Sequence, residues 1–419
     1  MNIWLITTGE PVPISGKSPH RLMRTGYFSA FLANAGHNVV WWASAFSHAE
    51  KQFLDIPGDV LHIRGNMEIR LLRGCGYKNN VSLARIRDHK QVAANFWELA
   101  RQSQKPDLIL CSYPTIELSA AAVRYGKEFK VPVMLDIRDM WPDVFLELVP
   151  FLFRPLLRFL ISPYYRKAID AIKGAKAVTG VTDEYISWAL NLAARERAES
   201  DVCVPLGYER HVLNAHDFAA AKQELKQKGV LDYSGMTLCF FGTLGRQFEI
   251  DVVIAAAKIL KSKGYPVRFV ICGGGDRAEY YKRKAAGVSN FILPGRVNAA
   301  EISVLMAQSA AGLAPYRESK NFYWNIPNKI GEYLSGGLPI ILGLKEGVAK
   351  SLLSENDCCV EYNGSAETLA EKIAELHDSP AVLERLRKNA VKLFESSFRA
   401  ERIYSDFASH LTRIAKHAM

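Results

Sequence analysis

Apolar runs of strand length alternate with amphipathic stretches of helix length along the whole chain. In the first half, this pattern predicts strands at residues 3–7, 38–42, 69–72, 107–111, 132–136, 177–181 and 202–206. A second series of strands is predicted at residues 236–241, 267–272, 290–293, 311–314, 339–342 and 358–362. The clearest helices are predicted at residues 20–35 and 115–129. Such alternation is typical of parallel βαβ units, so we predict an α/β fold.

Two complete series of βαβ units indicate two domains, each with its own parallel sheet. A polar, helical connection at residues 208–229 separates the two series, with Leu206 and Gly207 as the predicted hinge. The length of 419 residues agrees, because single cores rarely grow beyond about 250 to 300 residues. We therefore expect two facing Rossmann-like domains, 1–206 and 207–396, with a ligand cleft between them and a last helix within 397–419.

The composition is that of an ordinary globular protein, with 49% hydrophobic residues and a formal charge of +10. This charge favours anionic partners such as membrane surfaces, diphosphates or nucleic acid, without choosing among them. The seven scattered cysteines include no Cys-x-x-Cys pair, which favours reduced thiols in a cytosolic protein over a disulfide framework or zinc site. We expect no signal peptide and no membrane span, since no uncharged run approaches about 20 residues.

The most informative segment is 325–342, NIPNKIGEYLSGGLPIIL, which predicts a short helix followed by a buried strand. Pro327 suits the start of a helix, where its missing N–H group costs nothing. The free N–H groups of the first turn, the helix dipole and Lys329 form a candidate phosphate site. One turn later, Glu332 lies on the same face of the predicted helix as Asn328. A carboxylate there can accept hydrogen bonds from a pair of sugar hydroxyl groups. The spacing indicates a nucleotide or nucleotide-sugar site, although a solvated helix would carry the same charges.

The order Pro-x-Lys-x-x-Glu-Tyr-Leu-x-x-Gly-x-Pro in this segment resembles the donor-site motif of retaining GT-B glycosyltransferases of family 4. The resemblance implies that Glu332 binds the donor ribose and that the turn from Pro327 to Lys329 faces the diphosphate. It covers essentially the whole chain and implies the GT-B fold, with the last helix returning to the first domain.

The turn after the first strand of the second domain is another candidate donor contact. Gly242, Gly245 and Arg246 resemble the family's Gly-x-x-Gly-Arg segment, in which the arginine contacts the donor diphosphate. Glycines let a backbone approach its ligand closely, although a plain strand-to-helix turn would look the same. The second basic residue that many members carry a few positions later is absent, so more phosphate charge rests on Arg246, Lys329 and Lys320.

Two further turns and one substitution complete the donor side. Gly274 lies in a glycine run after a strand, where close approach to a ligand and a tight βα turn are alternatives. Arg296 and Val297 resemble the segment whose main chain reads the base in the family. Trp324 stands where many family members carry a second glutamate near the transferred sugar. This aromatic residue packs either on an apolar sugar face or in the core, so the donor sugar stays open.

The long loop at residues 8–21 follows the first strand. It does not match Gly-x-Gly-x-x-Gly, which argues against a dinucleotide-dependent dehydrogenase. The family uses a mobile polar loop here to close over donor and acceptor. Gly16, Lys17, His20 and Arg21 are therefore candidate loop or acceptor contacts, with a solvated basic loop as the alternative.

Residues 136–143, DIRDMWPD, place three acids and an arginine at the carboxyl end of a predicted strand. The segment resembles one in a family-4 branch, similar to fucosamine transferases, that builds bacterial surface polysaccharides on lipid carriers. We expect Asp139 to orient or deprotonate the acceptor hydroxyl and Arg138 to hold it or an anionic acceptor. The alternative for Arg138 and its acidic neighbours is an ion pair that secures the loop.

Residues 144–167 are rich in Phe and Leu and carry the basic residues Arg154, Arg158, Arg166 and Lys167. Charges interrupt the segment too often for a membrane span, but a basic apolar stretch lies stably in a membrane interface. A buried helix or a dimer contact is the alternative.

The resemblance implies a glycosyltransferase of the EC 2.4 class, of hexosyl type, that transfers a sugar with retention from a UDP-sugar or another nucleotide diphosphate sugar. Its acceptor would be a lipid-linked saccharide or glycan in bacterial surface polysaccharide or lipopolysaccharide synthesis, at the cytoplasmic, anionic face of the inner membrane. No Asp-x-Asp or compact His and carboxylate cluster occurs, so we expect no metal and no cofactor. A non-hydrolysing nucleotide-sugar epimerase is the rival. A nucleic-acid-binding module is not expected, because no basic run is interleaved with aromatics.

Overall fold

The computed structural model describes residues 1–13, 22–48, 50–56, 58–210 and 213–416. The chain divides into two compact units, which we call unit 1 and unit 2. Unit 1 comprises Met1–Pro205 together with the residues from Glu401 onward, and unit 2 comprises Leu206–Ala400.

Unit 1 is built on an eight-stranded sheet and a short separate hairpin. Its strands are β1 (Asn2–Ile6), β2 (Asn38–Ser44), β3 (Phe46–Ser47), β4 (Gln52–Phe53), β5 (Val60–Arg64), β6 (Met67–Leu72), β7 (Leu108–Tyr113), β8 (Val133–Ile137), β9 (Ala177–Gly180) and β10 (Val202–Cys203). The sheet order is β10-β9-β8-β7-β1-β2-β6-β5, parallel throughout except for the antiparallel pair β5 and β6. All seven strands predicted in this half are present. The hairpin β3–β4 and strand β5 were not predicted, because their short and largely exposed sequences carry little apolar periodicity.

The helices of unit 1 cover both faces of this sheet in the way its buried strands require. They are α1 (Arg24–Asn34), α2 (Leu83–Arg101), α3 (Ile116–Phe129), α4 (Arg154–Leu160), α5 (Ser162–Gly174) and α6 (Asp183–Leu192), with 3₁₀ turns at Asp143–Leu148 and Phe151–Phe153. Aromatic rings dominate part of the core: the ring centroid of Trp4 lies 5.1 Å from those of both Trp42 and Tyr125.

Unit 2 is a doubly wound α/β fold. Its strands are β11 (Met236–Phe241), β12 (Val267–Cys272), β13 (Phe291–Gly295), β14 (Ala311–Ala314), β15 (Ile340–Leu342) and β16 (Cys359–Glu361). Its helices are α7 (Ala215–Gln227), α8 (Ile250–Ser262), α9 (Ala278–Lys284), α10 (Ala299–Ala307), α11 (Lys320–Trp324), α12 (Asn328–Ser335), α13 (Val348–Glu355), α14 (Ala366–Asp378) and α15 (Pro380–Ser397). All six strands predicted in this half are present.

The parallel sheet of unit 2 has the order β13-β12-β11-β14-β15-β16. Successive crossovers therefore run in one direction from β11 to β13 and in the other from β14 to β16. This reversal produces a crevice between the carboxyl ends of β11 and β14, which is where such sheets bind ligands.

The last helix of the chain, α16 (Ala400–Lys416), packs on the first helix of unit 1. The ring of Phe407 stacks on that of Phe28 with centroids 4.8 Å apart, and Tyr404 lies 5.5 Å from the same ring. The apolar face of α16 is thus buried on a unit whose other residues are far away in sequence.

In the described ranges, no helix is both long enough and apolar enough to cross a membrane.

Candidate functional site

The turns that follow β11 and β12 pack backbone against backbone. The N–H group of Gly242 donates to the carbonyl of Cys272 at 3.0 Å, and that of Gly273 donates to the carbonyl of Gly295 at 2.7 Å. A Cβ atom at Gly273, whose φ is +146°, would lie 1.8 Å from the carbonyl oxygen of Gly242. Only glycine fits such a position. The glycine run is thus needed to bring the two strand ends together.

Gly274 contributes its carbonyl group to this packing, because it accepts a hydrogen bond of 2.8 Å from the N–H group of Leu244. A Cβ atom on Gly274 would lie 3.1 Å from Nε of Arg296, so the predicted base-side arginine lies directly beside the glycine turn. Arg296 itself is exposed, whereas Val297 is half-buried against the core of unit 2. The structure brings these three predicted residues together; their contact with a ligand stays a prediction.

The predicted donor helix is α12, which begins at Asn328, directly after Pro327. Gly337 follows the helix with the left-handed φ of +68° that ends it. Tyr333 fixes the helix to the sheet, since its hydroxyl donates to the carbonyl of Leu313 at 3.0 Å. The helix predicted within residues 325–342 is therefore present, and buried Tyr333 attaches it to β14 beside the crevice.

Tyr208 covers the other side of α12. Its hydroxyl donates to Oδ1 of Asn328 at 3.3 Å, and a Cβ atom on Gly331 would lie 2.1 Å from its ring. The glycine in the middle of the helix is therefore required by the close approach of the Tyr208 ring.

Lys329 lies in an aromatic and glycine-lined recess at the end of β11. Its Nζ atom is 4.4 Å from the ring centroid of Phe248 and 4.9 Å from that of Phe240. A Cβ atom on Gly242 would lie 2.5 Å from the same nitrogen, so the missing side chain of Gly242 provides the space for the ammonium group. Within the described ranges this ammonium makes no ion pair, which leaves its charge for a bound anion.

Burial lowers the pKa of Lys329 to about 8, and the charge of Glu332 acts in the opposite direction. Glu332 is 9% exposed and lies one helical turn after the lysine. The two predicted donor residues of α12 are thus electrostatically coupled at the crevice.

The other two cations predicted to bind phosphate, Arg246 and Lys320, are exposed. Arg246 follows β11 in the same turn as Gly242, and the described part of the chain offers it no ion-pair partner. At the neighbouring Gly245, a Cβ atom would lie 2.2 Å from Oε1 of Gln247, so a side chain there would displace the glutamine. Arg246 is accordingly in a position to reach a ligand at the end of β11.

Trp324 ends the short helix α11 and is half-buried. The Nζ atom of Lys320 lies 4.1 Å from its ring centroid, a cation–π contact on one face of α11. The aromatic substitution identified in the sequence therefore also orients one of the predicted phosphate-binding cations.

In unit 1, the segment after β8 is part of a buried charge network. Arg24 donates to the carboxylate of Asp136 from Nε at 3.0 Å and from Nη2 at 3.2 Å, and Nε of Arg138 donates to it at 2.8 Å. Burial alone would raise the pKa of Asp136, but the charges of Arg24 and Arg138 outweigh it and hold that pKa below its ordinary value. The carboxylate is thus a fully ionised anchor for two arginines.

Arg138 also donates to the carboxylate of Glu10 and, at 3.0 Å, to Oγ1 of Thr25. Glu10 in turn accepts a hydrogen bond of 2.8 Å from the N–H group of Thr25 in the first turn of α1. The network therefore joins the two stems of the loop after β1 to the end of β8. For Arg138 this geometry favours the structural alternative, an ion pair that secures the loop, over direct contact with an acceptor.

Asp139 is in a different environment from its neighbour. Its carboxylate accepts hydrogen bonds from the N–H group of Met140 at 2.8 Å and from Nε1 of Trp141 at 3.2 Å. Burial raises its pKa above the ordinary value, although these hydrogen bonds act against the rise. A half-buried carboxylate with a raised pKa at a strand end suits a general base, so the role predicted for Asp139 stays chemically reasonable.

Four predicted loop residues, Gly16, Lys17, His20 and Arg21, lie outside the described residues.

Sequence reasoning missed several residues that shape these sites. Glu10 and Arg24 partner Arg138 and Asp136 from more than 100 residues away, and Phe248 and Tyr208 approach α12 from other elements. No local motif marks any of the four. The conspicuous polar residues around the first loop would have been the only available signal for Glu10 and Arg24.

Among the described residues, no group of three or more His, Cys, Asp or Glu side chains is placed to hold a metal ion.

Residues 235–379, which lie within unit 2, match the family model described as "Glycosyl transferases group 1". No match was found among curated protein sequences. Among solved structures, the chain resembles sucrose-phosphate synthase from Thermosynechococcus elongatus with a TM-score of 0.72, 16% identity and 100% of each chain covered. It also resembles Anabaena HepE in complex with UDP (TM-score 0.66, 15% identity, 98% of this chain and 99% of that chain).

A further similar structure is WaaG, a glycosyltransferase involved in lipopolysaccharide biosynthesis, with a TM-score of 0.64 and 14% identity over 98% of this chain and 99% of that chain. At these identities the likeness concerns the fold. It confirms the predicted fold class, because the two Rossmann-like units with parallel sheets are those of GT-B structures.

Replacement of Arg138 by Ala is expected to destabilise unit 1 by about 3 kcal/mol, since it leaves the buried carboxylate of Glu10 without its ion-pair partner and Asp136 with Arg24 alone. Hydrogen exchange of the strand amides of unit 1 in increasing urea measures the change. The matched control is Arg87→Ala, because Arg87 is exposed on α2. An unchanged unfolding free energy in Arg138→Ala would contradict the structural role.

The lowered pKa of Lys329 makes stability depend on pH. Its native value of about 8 lies below the ordinary 10.5, so between these values the unfolded chain binds more protons than the folded one. The free energy of unfolding should therefore gain a contribution as pH rises from about 8 to 10.5. Urea unfolding across this range should show that Lys329→Met removes the gain, whereas Lys258→Met, at an exposed position of α8, retains it. Parallel pH profiles of wild type and Lys329→Met would refute the assignment.

Proposed function

We propose that this protein is a retaining glycosyltransferase that transfers a sugar from a UDP-sugar to a lipid-linked or glycan acceptor in bacterial surface polysaccharide synthesis. The observation that carries the proposal is the arrangement at the crevice of unit 2. There Lys329 lies against the Gly242 turn, and Glu332 follows it by one helical turn. The match of residues 235–379 to a glycosyltransferase family model supports the same conclusion.

The crevice residues have complementary roles in this proposal. Lys329 and the exposed Arg246 neutralise the diphosphate, and the first-turn N–H groups of α12 add hydrogen bonds to its oxygens. The carboxylate of Glu332 accepts hydrogen bonds from the two hydroxyl groups of the ribose. Because negative charge grows on the diphosphate as the sugar–oxygen bond breaks, these cations stabilise the transition state more than the ground state.

The choice of UDP is supported by a structural neighbour, HepE, whose complexes contain UDP, UDP and glucose, or UDP-glucose. The choice of acceptor rests on the 136–143 segment and on WaaG, which acts in lipopolysaccharide biosynthesis. On the acceptor side we assign Asp139 as the group that accepts the proton of the attacking hydroxyl, with its carboxylate oriented by Trp141. The buried network of Arg138 holds the adjacent loop in place.

A lipid-linked acceptor would bring the enzyme to the anionic cytoplasmic face of the inner membrane.

Glu332→Ala should weaken binding of UDP-glucose at least about a hundredfold, because a hydrogen bond to a charged group contributes about 1.5 to 3 kcal/mol and two are lost. Isothermal titration calorimetry measures the affinity, with circular dichroism to show that the fold is retained. Glu355→Ala, on the exposed face of α13, is the matched control and should bind normally. Unchanged affinity in Glu332→Ala would exclude the ribose-binding role. Release of an epimerised nucleotide sugar from donor alone would favour the epimerase instead.

Glycosyl transfer should continue in excess EDTA, because Lys329, Arg246 and helix N–H groups supply the positive charge that a divalent cation would otherwise supply. Product formation with a radiolabelled donor, measured with EDTA and then with added Mn²⁺, checks this expectation. Strict dependence on Mn²⁺ would overturn the metal-independent mechanism.

A further inference from the structure

Unit 1 exposes a concentrated set of large apolar side chains between β8 and α5, which we call the apolar surface. Its members are Leu148, Phe151, Leu152, Phe153, Leu156, Phe159 and Leu160, each between 58% and 84% exposed. They are seven of the 17 large apolar side chains exposed in the described part of the chain, yet they lie within 13 residues. Exposed apolar patches of this kind mark interaction sites in stable proteins.

The fold does not use this segment as core. Neither the 3₁₀ turns at Asp143–Leu148 and Phe151–Phe153 nor helix α4 contains a buried residue. The stability of unit 1 therefore does not explain why Phe and Leu occupy these positions.

Hydrogen bonds nevertheless join the start of the segment to two later helices of unit 1. The carboxylate of Asp143 accepts hydrogen bonds from the hydroxyl of Tyr165 at 2.5 Å and from Nε1 of Trp188 at 2.8 Å. The bond from Asp143 to Tyr165 joins the start of the segment to helix α5, which follows it. The exposed apolar side chains thus belong to a segment that is hydrogen-bonded to the rest of unit 1.

Basic side chains accompany the apolar surface. Arg154, Arg158, Arg166 and Lys167 are exposed, and none forms an ion pair with another described residue. Between residues 144 and 167 the only acid is Glu147. A set of unpaired cations beside exposed Phe and Leu matches the interface of an anionic bilayer, where acyl chains take the apolar groups and headgroups take the charge.

A second copy of the chain fits this surface less well. In a twofold contact the same patch of both copies meets, so Arg154 and Arg158 of each copy would enter the interface. Glu147 is the only acid of the segment that could compensate these like charges when they are desolvated.

We propose that the apolar surface and its basic residues form a membrane-docking site that inserts into the interface of a bilayer containing anionic lipids. The site lies on unit 1, and its chemistry does not depend on the proposed glycosyl transfer.

The test is flotation of the full-length protein with vesicles of phosphatidylcholine alone and with vesicles that also contain phosphatidylglycerol. We expect binding to the anionic vesicles, weakening as salt is raised. Combined replacement of Phe151, Leu152 and Phe153 by Ser should lower the bound fraction at least about tenfold, since interfacial binding scales with buried apolar area. No loss of thermal stability is expected, because these side chains are exposed.

The control is the pair Phe218→Ser and Val382→Ser, which changes side chains of unit 2 that are 36% and 37% exposed. This control should float like the wild type, and Arg154→Gln with Arg158→Gln should lose the preference for anionic vesicles. Undiminished flotation of the triple Ser variant would overturn the proposal. So would an absence of vesicle binding together with a dimer that the triple Ser variant converts to monomer.

Two measurements separate this proposal from the proposed function. The triple Ser variant should bind UDP-glucose with wild-type affinity, and Glu332→Ala should float with anionic vesicles like the wild type. Failure of nucleotide binding with intact flotation would thus contradict only the enzymatic role, and the reverse result would contradict only the docking site.

Discussion

Close packing between the glycine turns after β11 and β12 is the constraint on which the donor side depends. Gly273 can approach the carbonyl of Gly242 only because it lacks a side chain, and Gly242 for the same reason leaves room for the ammonium of Lys329. Tyr333 and Tyr208 then hold α12 from two sides, so that the lysine enters that space. The cost is a buried cation, visible in its lowered pKa, and a bound diphosphate would offset that cost.

Unit 1 uses charge in the opposite way. Its buried network pairs two arginines with two carboxylates, Arg24 and Arg138 with Asp136 and Glu10. These charges therefore neutralise one another within the protein. Buried networks of this kind are costly to break and define one geometry. Here that geometry fixes the stems of the first loop relative to the end of β8, next to Asp139. In the proposed function, the cations of unit 2 bind the donor, whereas the charge network of unit 1 holds a loop in position.

The segment between β8 and α5 is neither a cation recess like that of Lys329 nor a neutralised charge network. No residue of the apolar surface is buried within the described protein, and the accompanying cations form no ion pair there. Large hydrophobic side chains usually pack in the core, whereas an exposed cluster of them marks an interaction site. The polar network that holds the first loop and the apolar surface both belong to unit 1. Under the proposed function, this unit would receive an acceptor that carries a lipid.

The sequence by itself determined the helix of residues 328–335 and the strands of the two large sheets other than the exposed edge strand β5, because these depend on periodicity and on spacing within one element. Lys329 and Glu332 were predictable together for that reason. Only the tertiary structure decided that Arg138 binds Glu10, 128 positions away in sequence, and that Phe240 and Phe248 surround Lys329. It also decided that residues 148–160 stay exposed. Such contacts depend on how elements from distant parts of the chain pack, which local sequence patterns do not encode.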